Sequence, residues 1–169
     1  GYMWELLQSL HGAGEFNATL VCVREFRTVI AKYKDHQLEG HYGNEILFYE
    51  LASLIGLQRY SEATALTLPS FAGDIAHQCN LNNLMAIAWL YLQKYEAALE
   101  NLDAVLRLDP SNSMALSNYT AVFLWRRDWQ RTVDAAGRAR SILGEELPNA
   151  VVQNEILARH ELNDRMGVA

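Results

Sequence analysis

The chain has 169 residues, 50% of them apolar, and sets 14 basic against 20 acidic side chains for a formal charge of −6. That balance disfavours a general phosphate-backbone binder, which needs a basic surface, so no nucleic-acid partner is expected. No apolar run is long enough to span a bilayer, no signal-peptide core is present, and two cysteines (Cys22 and Cys79) imply no disulfide framework. These features predict a cytoplasmic protein without membrane insertion, and a chain that begins at Gly1 rather than Met fits a piece of a longer protein.

In chain order, four short stretches line up: GEFNAT at 14–19, LQRYSEA at 57–63, LQKYEAA at 92–98 and RRDWQRT at 126–132. Each sets an aromatic three residues before a small side chain: Phe16–Thr19, Tyr60–Ala63, Tyr95–Ala98 and Trp129–Thr132. The aromatics fall 44, 35 and 34 residues apart, a near-constant interval that marks a repeat. A helix-length stretch precedes and follows each one, so the unit is a pair of antiparallel helices. The small residue lets the two backbones approach, and the aromatic fills the wedge at their turn.

The first unit, about 1–34, keeps Leu6, Leu10, Phe16 and Thr19. The second, about 43–78, keeps Leu47, Leu54, Tyr60 and Ala63. Its second helix is expected to stop at Pro69, with the loop PSFAGDIAHQ leading to a helix near Asn80. The third unit, about 79–112, pairs Asn80–Leu92 with Glu96–Leu108, where Ala98, Leu99, Leu102, Val105 and Leu106 keep the spacing of a core stripe. Pro110 ends that helix, since the residue before proline avoids the helical region, and Ser111 or Asn112 can cap the next. The fourth unit, about 113–146, pairs Met114–Arg126 with Gln130–Leu143. Pro148 then opens a final helix, about 148–166.

On these residues the chain resembles the tetratricopeptide repeat (TPR) family over nearly its whole length. LQKYEAALENLDAVLRLDPSN, 92–112, matches the second half of the 34-residue motif, with Trp89, Tyr95, Ala98, Val105 and Pro110 at motif positions. The fourth unit follows in register through Phe123, Trp129 and Ala139, but puts Thr120 and Thr132 where Gly or Ala is usual. The resemblance implies one all-α domain, a right-handed α-solenoid of about four helix hairpins with a C-terminal capping helix. A narrower resemblance, of 106–133 and of VVQNEILARHEL at 151–162, is to the TPR-bearing subunits of TRAPP vesicle-tethering complexes. It implies a role in vesicle-mediated transport, on secretory-pathway membranes through a complex.

The family's first helices line a concave groove, which implies a partner-binding set of Asn83, Ile87, Leu90, Tyr91, Met114, Ser117, Ala121, Leu124 and Trp125. Tyr91 and Trp125 are the expected hot spots, because large aromatics dominate interface energetics. Such a groove suits a partner's helix or extended peptide, other subunits of a complex, or another part of the same chain. Chaperone-binding members of the family grip a terminal carboxylate with Lys and Asn. The matching positions in the third unit are Asn83 and Ile87, which cannot supply those charge-assisted bonds, although Asn118 fits the next clamp position. Arg126, Arg127 and Arg131 form a second candidate, a patch for an acidic partner, against the plainer reading of arginines solvating an outer face.

Catalytic, metal and cofactor sites are not expected. His36, His41, His77 and Cys79 match no ligand spacing, and GAG at 12–14 lacks the Lys and preceding strand of a phosphate loop. Glu96, Glu100 and Asp103 read as a solvated helix face. The predicted function is a non-catalytic protein-interaction scaffold. The alternative is a chaperone or adaptor for client proteins.

Overall fold

The computed structural model describes residues 2–33, 36–70 and 74–166, and every regular element among them is helical. These are α1 (Tyr2–Gly12), α2 (Phe16–Tyr33), α3 (His36–Gly56), α4 (Tyr60–Thr64), α5 (Ile75–Tyr91), α6 (Tyr95–Leu108), α7 (Ser113–Trp125), α8 (Trp129–Leu143) and α9 (Asn149–Met166), with one 3-10 turn at Gly144–Glu146. The chain divides into two compact units, Gly1–Ala88 and Trp89–Ala169, and the division falls within α5.

The repeat is visible in the turns. The four aromatics Phe16, Tyr60, Tyr95 and Trp129 are the first residues of α2, α4, α6 and α8. Two residues before each, the backbone is left-handed: Gly14 at φ 75°, Gln58 at 58°, Gln93 at 58° and Arg127 at 61°. The N–H of each of these residues donates to the carbonyl three back, and the next N–H donates five back, as in Arg127 to Leu124 and Asp128 to Phe123. This Schellman geometry closes the orphan carbonyls of the preceding helix and reverses the chain in few residues. The small residue three positions after each aromatic is fully buried in all four turns: Thr19, Ala63, Ala98 and Thr132 are each 0% exposed. Thr is tolerated there because its hydroxyl donates to the carbonyl four back, Thr19 to Glu15 and Thr132 to Asp128, both at 2.9 Å.

In the first unit, Leu7, Cys22, Val23, Phe26, Ile30 and Ile46 form the core, with Trp4 packed against Tyr42 and Tyr49 at 5.1 and 5.6 Å between ring centroids. Gly56, the last residue of α3, lies under the ring of Phe16: a Cβ there would sit 2.5–2.9 Å from its carbon atoms. In the second unit, Leu116, Ala136, Ala139 and Val151 centre a core flanked by Leu106, Leu143 and Leu147. The α6 stripe is buried at Ala98, Leu102 and Val105, where a fully buried Leu contributes about 1.5–3 kcal/mol. Asn112, rather than Ser111, caps α7 by accepting the Ala115 N–H at 3.0 Å.

Three boundaries differ from expectation. α4 ends at Thr64, one turn before Pro69, because the proline ring would meet the carbonyl of Ala65 if the helix went on. α5 begins at Ile75, not near Asn80, since Asp74 caps it by accepting the His77 N–H at 2.7 Å. Of the loop expected at 69–78, residues 71–73 lie outside those described. α3 begins at His36, seven residues ahead of the expected start of its unit.

Candidate interaction surface

The nine groove residues do not share one environment. Asn83 is 1% and Leu90 5% exposed, so both belong to the interior; this corrects their expected place on a partner-facing surface. The motif position alone could not tell an interior first-helix residue from a groove one, since both lie on the same helix. Ile87, in the first unit, is half-buried, as are Ser117, Ala121 and Leu124 in the second. Met114, Tyr91 and Trp125 are open to solvent at 50%, 49% and 43%.

Met114, Ala121 and Trp125 stand at helical spacing on one face of α7. At its C-terminal end, the rings of Tyr91 and Trp125 meet edge-on at 90°, with centroids 5.1 Å apart. Both are the last residues of first helices and sit 34 residues apart, so the pair joins equivalent positions of two repeats. The Tyr95 hydroxyl donates to the Trp125 carbonyl at 3.3 Å, capping the end of α7. Beside it, Arg126 and Glu96 form an ion pair at 2.8 Å. The result is an apolar aromatic edge, held from behind by Tyr95 and bordered by charges. That is the anatomy of a small binding hot spot, whose edge-to-face ring contact fixes both side chains before a partner arrives. Tyr95 and Glu96 were not among the expected site residues. Their position at the start of α6, opposite the end of α7, was the available signal.

Two of the three arginines of the second candidate have carboxylate partners of their own. Arg126 pairs with Glu96. Arg131 lies 3.5 Å from Asp128 and over the Phe123 ring at 5.9 Å from its centroid. Arg127 occupies the left-handed turn residue. Nearby, Arg140 of α8 and Arg159 of α9 both bind the buried Glu155, at 2.5 and 2.7 Å. The Arg140 hydrogen bond chiefly holds the Glu155 carboxyl below its usual pKa, against the opposing effect of burial and with help from Arg159. Arginines of this unit therefore tie helices together as well as facing solvent.

His77 Nε2 donates to the Asn44 carbonyl, 3.0 Å away, and Cys79 is buried. The side chains of His36 and His41 lie outside those described. Among the described residues no three His, Cys, Asp or Glu side chains converge as a metal site would require, and no helix is long and apolar enough to cross a membrane. Of the carboxylates read as a solvated face, Glu96 and Glu100 are exposed, Glu96 pairing with Arg126 at the surface, while the half-buried Asp103 accepts from the Tyr119 hydroxyl.

No protein-family model matches the chain, and no curated protein matches its sequence. Among solved structures, the Hsp90 co-chaperone Cns1 from Saccharomyces cerevisiae (delta69) is similar, with a TM-score of 0.66 and 16% identity. The match covers 76% of this chain and 42% of that one, so this chain spans less than half its length. The likeness is one of fold: the helices are arranged in a TPR-like manner.

Proposed function

We propose that this chain is a non-catalytic protein-interaction scaffold and that the Tyr91–Trp125 edge is where it grips a partner's apolar segment. The observation that carries the reading is the perpendicular ring pair, nearly half exposed, anchored by Tyr95 and bordered by Arg126 and Glu96. The fold shared with a co-chaperone supports protein partners in general. It favours no carboxylate clamp, because Asn83 is buried and Ile87 offers no charge. A chaperone or adaptor that releases its client remains the alternative, and a vesicle-tethering subunit rests on the resemblance of 106–133 and 151–162.

Affinity purification of the protein from its own cells, beside a Tyr91→Ala, Trp125→Ala version, tests the proposal. Circular dichroism first establishes that the variant is folded. Truncating two hot-spot aromatics is expected to cost at least about 2 kcal/mol, roughly thirtyfold in affinity, and to remove a stoichiometric partner set. Tethering components in that set would assign the complex, and transiently held unfolded clients would assign a chaperone. If both versions bring down the same proteins in the same amounts, the aromatic edge is not the site.

A further inference from the structure

In the first unit, α1 packs chiefly on α2 and only lightly on α3. Two of its rings reach α3: Trp4 near the start, against Tyr42 and Tyr49, and His11 in the last turn. The half-buried His11 ring has its centroid 5.7 Å from that of Phe16 in α2, and 6.2 and 5.0 Å from those of Phe48 and Tyr49 in α3. Its Nδ1 lies 3.5 Å from the hydroxyl of the fully buried Ser53. The charged groups on these elements are Glu5 of α1, Glu15 of the turn, Arg24 and Arg27 among those of α2, and Glu45 and Glu50 of α3. Among the described residues no carboxylate lies within ion-pair distance of His11, and Glu50 is held by Arg27 at 2.6 Å. A proton on His11 therefore sets a charge among three rings with no anion to meet it. The carbonyls that end α1 favour that charge, but burial outweighs them and holds the imidazole pKa below its ordinary value of 6.5.

From this cluster we propose that His11 is a proton-sensitive latch: neutral, it closes the end of α1 onto α3, and protonated, it releases that seam. The sign follows from linkage. The unfolded imidazole takes its proton near 6.5 and the packed one only at lower pH, so the latch is complete above 6.5 and weakens as pH falls through the folded value. Release bares the Phe48–Tyr49 pair of α3 and loosens the neighbouring wedge, where the Phe16 ring abuts Gly56. The device is independent of the aromatic edge, which belongs to the second unit.

The test is an NMR pH titration of the whole chain, with amide hydrogen exchange corrected for its intrinsic pH dependence, between about pH 7.5 and about pH 5.5. The His11 ring is expected to titrate below 6.5. The amides in the last turns of α1 should lose protection severalfold at the acid end, while those of α7 keep theirs. His11→Phe keeps a ring that takes no proton and should hold α1 closed across the range. His11→Gln, smaller and equally unable to titrate, should loosen α1 by the same amount at both ends. An imidazole that titrates at or above 6.5, or α1 protection that is the same at both ends in the parent, would overturn the proposal. So would an acid loss that persists in both variants, because it assigns the effect to another group such as His77, which also touches Phe48.

Discussion

Glu155 is the place where one substitution should loosen the end of the second unit. Its carboxylate is 5% exposed, accepts Arg140 Nη2 on one oxygen at 2.5 Å, and accepts Arg159 Nε and Nη2 on the other at 2.9 and 2.7 Å. The Arg140 contact joins α8 to α9, whereas the Arg159 contact lies within α9. Removing one partner of a fully buried pair costs about 3–5 kcal/mol. Here the arginine side chains are 49% and 59% exposed and can turn to water, so the expected cost of Glu155→Ala is smaller, about 2 kcal/mol. Urea unfolding should report that loss, and hydrogen exchange should show α9 amides losing protection before those of α6 and α7. The pH dependence carries the sign. Because the folded carboxyl titrates below the unfolded value of 4.5, the native state binds fewer protons there, and the contribution is complete above that value. It is lost as pH falls through the folded pKa. The gap between parent and Glu155→Ala should therefore be constant from neutral pH to about 5 and narrow below 4.5. A cost under about 0.5 kcal/mol, within the range of an exposed pair, or a gap that does not narrow in acid, would refute the reasoning.

Two further predictions concern the turns and their wedges. Gly56→Ala should destabilise by about 1–3 kcal/mol, because the new methyl meets the Phe16 ring, whereas Gly137→Ala in α8, with open space around its Cβ, should stabilise by up to about 1 kcal/mol. Thermal melts that move the same way for both would show that the Phe16 contact is not what selects glycine. Gln93→Gly and Arg127→Gly should each stabilise by about 0.5–1 kcal/mol, since a left-handed backbone strains any side chain, while Gly14→Ala should cost about 1 kcal/mol. Chemical denaturation checks all three, and destabilisation by either glycine would mean that the side chain it replaces is needed more than the strain relief.

How much of this was legible beforehand depends on whether the cause was local. The aromatic-to-small spacing placed the starts of the second helices close to where they are, with Glu96 and Gln130 expected and Tyr95 and Trp129 found, because the wedge residue and the close-approach residue are separated by one helical turn. Pro110 and the Asn112 cap were readable for the same reason. The ends of α4 and the start of α5 were not, although their causes are equally local: Pro69 acts four residues upstream of itself, and the Asp74 cap was passed over as loop. Glu155 was invisible, since its two arginines come from different distances along the chain and only packing brings Arg140 to it. Asn83 and Leu90 were placed in a groove by motif position, and burial removed them from it.

The same register also explains why the aromatic edge arises where it does. Gly56 and Trp125 occupy equivalent positions at the ends of α3 and α7, and Phe16 and Tyr95 are equivalent at the starts of α2 and α6. In the first unit the wedge aromatic is Phe16, whose ring takes the space a side chain at Gly56 would need. In the second unit Tyr95 carries a hydroxyl that reaches the Trp125 carbonyl at 3.3 Å, so the helix end is satisfied without the ring covering it. That leaves the position free to bear a large side chain, and Trp125 projects outward to meet Tyr91. Exchanging the two solutions should move the surface feature with them. A Tyr95→Phe, Trp125→Gly chain should keep its helices, lose the perpendicular ring pair, and lose tryptophan fluorescence quenching by any partner that binds there. If partner binding persists in that chain with unchanged affinity, the hydroxyl-to-carbonyl contact is only a helix cap, and the exposed tryptophan is incidental to recognition.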